Sequence, residues 1–241
     1  MSLLNVLTYA VFPAVAVMVG GVFSAIWPPG ATARSAVQHF AAGVVFAALA
    51  TELLPDVMHR RLPLYTIGGF ALGVIVMLVL KALTDHEPKE GSPEAHGIVS
   101  VGLLVALGVD IALDGLLIGV GFAAGEKQGA LLTIALTLEV LFLGVSAAAA
   151  LTGAGASKLR IISTTAGLGC LLQLGAGLGA VVLSGVSSAM LDVVLSFGIA
   201  ALLYLVVEEL MVEAHEAPET PWLSATFFIG FLLLMVIEML I

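Results

Sequence analysis

Charge is what this chain has least of. Of its 241 residues only 10% are Asp, Glu, Lys or Arg, where a soluble domain carries about 25%. Lys and Arg together number 8 against 17 acids, a formal net charge of −9, which argues against a nucleic-acid partner. Cysteine is nearly absent. Cys170 stands alone in an apolar stretch, so no disulfide can staple the chain to itself. Trp and Tyr are few, at 2 and 3. No Ser/His/Asp, Cys/His or HExxH-type arrangement is present, so no enzyme is expected. These shortages exclude a soluble enzyme, a disordered chain and a secreted disulfide scaffold. What remains is apolar: 61% hydrophobic residues and a mean hydropathy of +1.18. That composition belongs to an all-α integral membrane protein, with the bilayer as its solvent.

A spanning helix needs about 20 apolar residues. Eight such runs are present, at 4–27, 35–54, 64–83, 98–124, 128–151, 160–184, 190–213 and 222–241. They form a single transmembrane domain with no room for a soluble one. The separators hold turn chemistry, Pro28-Pro29-Gly30 and Arg60-Arg61-Leu62-Pro63 among them. No Lys or Arg precedes the first run, and it is too long for a signal h-region, so it reads as a first membrane helix. Eight spans put both termini on one side. With the termini outside, Arg34, Lys81, Lys89, Lys158 and Arg160 face the cytoplasm, against Arg60, Arg61 and Lys127 outside. The positive-inside rule therefore favours a multi-pass protein of the plasma or bacterial inner membrane with outside termini and a cytoplasmic loop at 84–97.

Glycine is plentiful, with 27 residues. Gly69/Gly73, Gly115/Gly119, Gly121/Gly125 and Gly175/Gly179 form small-xxx-small pairs that let helix backbones approach in lipid. Packing within the chain is the expected use, with a homodimer possible. Glu52-Leu53-Leu54-Pro55-Asp56 ends the second span and Glu209-Leu210-Met211-Val212-Glu213 ends the seventh. These helices run in opposite directions, as an inverted repeat of three helices around a central pair (3+2+3) requires.

Acids inside spans are costly and usually functional. Asp110 and Asp114 sit near the middle of the fourth span on one helix face, and Glu139 sits near the middle of the fifth. No Lys or Arg lies at that depth. Three neighbouring carboxylates without a counter-charge either bind cations or hold protons. A second tier flanks them. Glu52, Asp56 and His59 lie at one end of span two, and Glu208, Glu209, Glu213 and His215 at one end of span seven. Of the adjacent pair, Glu209 shares a face with Glu213, so Glu209 is expected to face the path. His39 and Gln173 read as interhelical hydrogen-bonders, Asp192 and Glu238 as solvated groups near the outer face. Asp85, His86, Glu87, Glu90, Glu94 and His96 make 84–97 a solvated acidic loop.

These residues resemble the ZIP family of divalent metal transporters. Members of that family carry a His-Asn-x-Pro-Glu-Gly-like motif in span four. The matching stretch here is Asp110-Ile111-Ala112-Leu113-Asp114-Gly115, with Asp110 at the His position and Asp114 at the Glu position. In span five Glu139 takes the first ligand position of a related motif, and Leu143 replaces its acid. Glu52-Leu53-Leu54-Pro55-Asp56 is similar to the family's Leu-Leu-Pro-Glu ending. Glu208-Glu209 stands at a His-Glu-like pair, and Gln173 where many members place an acid.

The resemblance implies inward transport of a divalent metal (zinc, manganese or iron class) by alternating access. Asp110, Asp114 and Glu139 would form its mid-membrane site. Glu52 and Asp56 would attract ions outside, and Glu208, Glu209 and Glu213 would accept them inside. The metal, Zn²⁺ or Mn²⁺ first, is cargo, and no cofactor is expected. Ile111, Val140, Leu143 and Gln173 would remove most ligands of the family's second metal. The motif prolines are replaced by Leu113 and Phe142, which predicts weaker helix kinks. Two rival readings stay open: a proton-linked exporter or exchanger, and a non-transporting protein that kept the fold.

Overall fold

The structure is a computed structural model that describes residues 2–27, 29–84, 101–182, 186–215, 217–218 and 220–240. Among the described residues, eight helices are long and apolar enough to cross a membrane. They are α1 (Leu3–Ile26), α2 (Ala31–Arg60), α3 (Pro63–Thr84), α4 (Val101–Ala124), α5 (Glu126–Gly153), α6 (Lys158–Val182), α7 (Ser188–Ala214) and α8 (Pro221–Leu240). The all-α membrane architecture is as the composition requires. The residues expected to form the acidic loop, 85–97, lie outside those described, as do 98–100, Ser184 and Ile241 at expected span ends.

Several span ends differ from expectation, and α2 already begins at Ala31 rather than at 35. The second helix does not stop at Leu54 but continues through Pro55 to Arg60. A proline ring clashes with the carbonyl four residues back and offers no N–H. Here the segment Leu49–Leu53 widens to i→i+5 pairing, with the Leu54 N–H on the Leu49 carbonyl, which makes room for the ring. The helix then ends at Arg61, whose φ of 54° turns the chain out. Helix α7 carries the same device at Leu205–Leu210, with the Met211 N–H on the Val206 carbonyl, and no proline is involved. It begins at Ser188, one turn's cap earlier than expected, because the Ser187 side chain accepts from the Met190 N–H.

Glycine sets the helix pairing. The space a Cβ would need on Gly115 holds the Leu172 carbonyl oxygen, 2.1 Å away, and that on Gly175 holds the Ala112 oxygen at 2.3 Å. Gly20 and Gly144 lock α1 to α5 in the same manner, against the carbonyls of Leu141 and Val17. Gly43 and Gly230 lock α2 to α8, against Phe227 and Phe40. On α3, Gly69 and Gly73 meet Val193 and Phe197 of α7. These contacts advance together along both chains, as do those of Gly115 and Gly119 with Leu172 and Ala176, so α3 and α7, and α4 and α6, are parallel. By contrast Gly169 meets Ala14 and Gly21 meets Thr165, so α1 and α6 are antiparallel. Alternating passage through the bilayer requires this set of directions. Gly119 and Gly179 join the α4–α6 contact, and Gly121 backs onto Gly129 across the α4–α5 turn. The small-residue pairs thus serve packing within the chain.

One constant offset in residue number carries Phe40 onto Phe197, Gly73 onto Gly230, Glu52 onto Glu209 and Asp56 onto Glu213. The contact of Gly73 with the Phe197 carbonyl recurs as that of Gly230 with the Phe40 carbonyl. A similar offset carries Val17 onto Leu172 and Gly20 onto Gly175, and Asp110 and Gly115 correspond to Glu139 and Gly144. The molecule is two inverted three-helix halves, α1–α3 and α6–α8, around the central pair α4 and α5. Both widened segments fall at the matched acids, Glu52 and Glu209.

A candidate metal centre of three carboxylates

Helix α4 runs unbroken through Asp110–Gly115, as the absence of a motif proline predicts. Four residues make just over one turn, so the Asp110 and Asp114 carboxyls stack on one face. The tight turn at Gly125 folds α5 back against α4 and brings Glu139 to the same depth. One carboxylate oxygen of each of Asp110, Asp114 and Glu139 lies within 4.8 Å of the other two. Asp114 is 2% exposed and Glu139 0%, with Asp110 half-buried. Four of their oxygens, Asp110 Oδ2, Asp114 Oδ2 and both of Glu139, are buried with no hydrogen-bond partner. Buried polar atoms are nearly always paired, and a buried anion all the more so. One oxygen from each of the three carboxylates is close enough to the other two for a single cation to be held among them. Ile111 and Val140 beside them are fully buried, and among the described residues Asp110, Asp114 and Glu139 are the one such cluster of ligands.

The second tier sorts into two ends. At one end Glu208 and Glu209 diverge. Glu208 turns outward to accept from Lys81 at 2.7 Å, both side chains being 44% exposed. Glu209 turns inward, and its charge is felt by Asp110, Asp114 and Glu139 alike. Glu213 stands beyond it, accepts a hydrogen bond from Gln38 and is within electrostatic range of both Glu209 and Asp110. An acidic file of Glu213 and Glu209 therefore leads to the three central carboxylates. His39 is buried nearby. Its Nδ1 lies 2.9 Å from the Ser35 carbonyl of its own helix, not across helices as expected, and its ring centroid lies 5.2 Å from that of His215.

At the other end the acids are already engaged. Lys127 of α5 lies 3.8 Å from Glu52 of α2 and 3.8 Å from Glu238 of α8. Asp56 accepts from Arg60 Nη2 at 3.0 Å and Nε at 3.2 Å, and Arg60 Nη1 reaches Ser188 on α7. Glu238, expected to be merely solvated, is thus part of an ion pair. Asp192 corrects its expectation outright: it is 0% exposed and accepts from Thr66 Oγ1 of α3 at 2.8 Å. Its place near the end of a span concealed this, since the contact comes from another helix. Gln173 is half-buried on α6.

No known protein family matches the chain, and no curated protein does.

Proposed function

We propose that the chain is a divergent ZIP-type transporter that moves one divalent cation at a time through the carboxylates of Asp110, Asp114 and Glu139. The observation that carries this reading is their convergence within 4.8 Å with four buried oxygens lacking any protein partner. The donor set is all oxygen and carries up to three negative charges. It suits hard ions, Mn²⁺ above all, and Zn²⁺ also accepts carboxylates. The Glu213–Glu209 file is the approach from one face, and in the orientation with both termini outside that face is cytoplasmic. On the opposite face Lys127, held between Glu52 and Glu238, closes the approach and must release them for an ion to pass. The motif likeness in α4 and α5, the matched acids of α2 and α7 and the inverted halves all support the family reading.

The test is metal binding by calorimetry from about pH 5 to 8, with Mn²⁺ and Zn²⁺, followed by flux into proteoliposomes. A ligand carboxylate must be deprotonated, so affinity weakens towards acid pH as protons compete for the same oxygens. The three acids titrate as a unit. Asp110→Asn weakens binding through the lost charge. Asp114→Ala weakens it at least as much, because it also leaves a gap. Affinity that is flat with pH and indifferent to both substitutions would make these acids structural and leave a membrane protein that does not transport.

A further inference from the structure

We propose that Asp192, Ser196 and Thr66 form a second cation site, one turn into the α3–α7 contact, that takes sodium. Asp192 and Ser196 are one helical turn apart on α7 and both are 0% exposed. Asp192 Oδ1 and Ser196 Oγ are each buried with no hydrogen-bond partner. Across from them Thr66 Oγ1 is 2.8 Å from Asp192 Oδ2 and 3.1 Å from the Leu62 carbonyl. One hydroxyl has one proton to give. When that proton goes to Leu62, the Thr66 and Asp192 oxygens face each other with lone pairs only, and a cation held alongside both relieves their repulsion.

The other half of the molecule supplies the control. The offset that matches Glu52 to Glu209 also matches Ser35 to Asp192 and His39 to Ser196. Ser35 and His39 are equally buried but satisfied. Ser35 Oγ donates to the Ala214 carbonyl at 2.6 Å, and His39 Nδ1 lies 2.9 Å from the Ser35 carbonyl. Only the Asp192 copy has oxygens to spare. The nearby cation is already in use: Arg60 serves Asp56 and Ser188. Among the described residues no Lys, Arg or His lies within 4.0 Å of Asp192. Charge balance selects the ion. One carboxylate and two neutral hydroxyls compensate a single positive charge, whereas a dication there leaves one charge buried and unpaired. The central carboxylates take no part, so this site stands or falls apart from the reading above.

The test is thermal unfolding of the purified full-length protein in sodium chloride against choline chloride at equal ionic strength. The expected result is a saturable rise in Tm with sodium and none with choline. Asp192→Asn abolishes the rise, and Ser196→Ala and Thr66→Val each reduce it. Glu139→Gln, which alters the central acids, keeps it in full. Should Asp192→Asn fail to fold, Ser196→Ala alone carries the test, since it removes a ligand and no charge. Equal melting in sodium and choline overturns the proposal. So does a stabilisation that follows pH but not sodium, which would make Asp192 a proton carrier. A rise with Mn²⁺ that survives Glu139→Gln and is lost in Asp192→Asn would make it a divalent site and overturn it equally.

Discussion

Glu208 and Glu209 are neighbours in sequence and opposites in setting. Adjacent residues on a helix point about 100° apart, so one of the pair had to leave the interior. Glu208 leaves, to an exposed pairing with Lys81 that solvent screens. Glu209 stays within reach of the central acids. Glu209→Gln is therefore expected to slow metal flux several-fold, while Glu208→Gln changes it little; equal rates for the two variants in proteoliposomes would deny Glu209 its part in the approach. Depth and spacing in the sequence were enough to bring out Asp110, Asp114 and Glu139, because an acid in mid-span has few reasons to be there. They were not enough for Asp192 or Glu238. Both lie towards span ends, where an acid is cheap to solvate. Their surroundings come from Thr66 and Lys127, residues on other helices. Burial near a helix end is a property of neighbours, and one helix's own pattern does not record it.

Among the helices, the apolar runs foretold eight elements and the glycine pairs foretold close packing, but not the partners. A glycine face matches any helix of suitable shape, and only the structure assigns Gly43 to Phe227 or Gly20 to Leu141. The widened turns were equally illegible. Pro55 hints at one, yet its counterpart at Leu205–Leu210 contains no proline. The glycine contacts do lead to a sharp expectation. A Cβ on Gly230 would fall 2.2 Å from the Phe40 carbonyl, backbone that cannot swing aside, whereas on Gly167 it meets nothing within 4 Å. Gly230→Ala should destabilise by about 1–3 kcal/mol through overpacking. Gly167→Ala should hold or gain up to about 1 kcal/mol from helix propensity. Urea or thermal unfolding of the pair in the same detergent reads the difference.

Taken whole, the helices fall into two groups. One is α1, α4, α5 and α6, joined by the glycine contacts of Gly20, Gly144, Gly115 and Gly175. The other is the pairs α2 with α8 and α3 with α7, joined by Gly43, Gly230, Gly69 and Gly73. Each of these glycine contacts lies within a group. The central carboxylates all belong to the first group, while Glu52, Glu209 and Glu213 belong to the second. The Lys127 ion pairs cross the boundary, from α5 to α2 and α8. In the transporter reading proposed above, alternating access would be movement of one group past the other. On that reading a cleavable bifunctional thiol crosslinker joining Lys127→Cys to Glu238→Cys should arrest flux until it is cleaved, with Cys170 replaced first because it is exposed. Flux that continues with the bridge formed would show that the boundary does not move.

Length adds a consequence of its own. The outermost helix α8 has 20 residues, about 30 Å at 1.5 Å per residue, which matches the hydrocarbon layer with nothing over. The members of the first group run from 24 residues in α1 and α4 to 28 in α5, about 36 to 42 Å. In the second group α3 is nearly as short, at 22 residues, while α2 and α7, at 30 and 27, overhang as the first group does. The helices cut to the layer are therefore α3 and α8, and the acids proposed to hold the ion ride on helices whose ends the bilayer leaves loose.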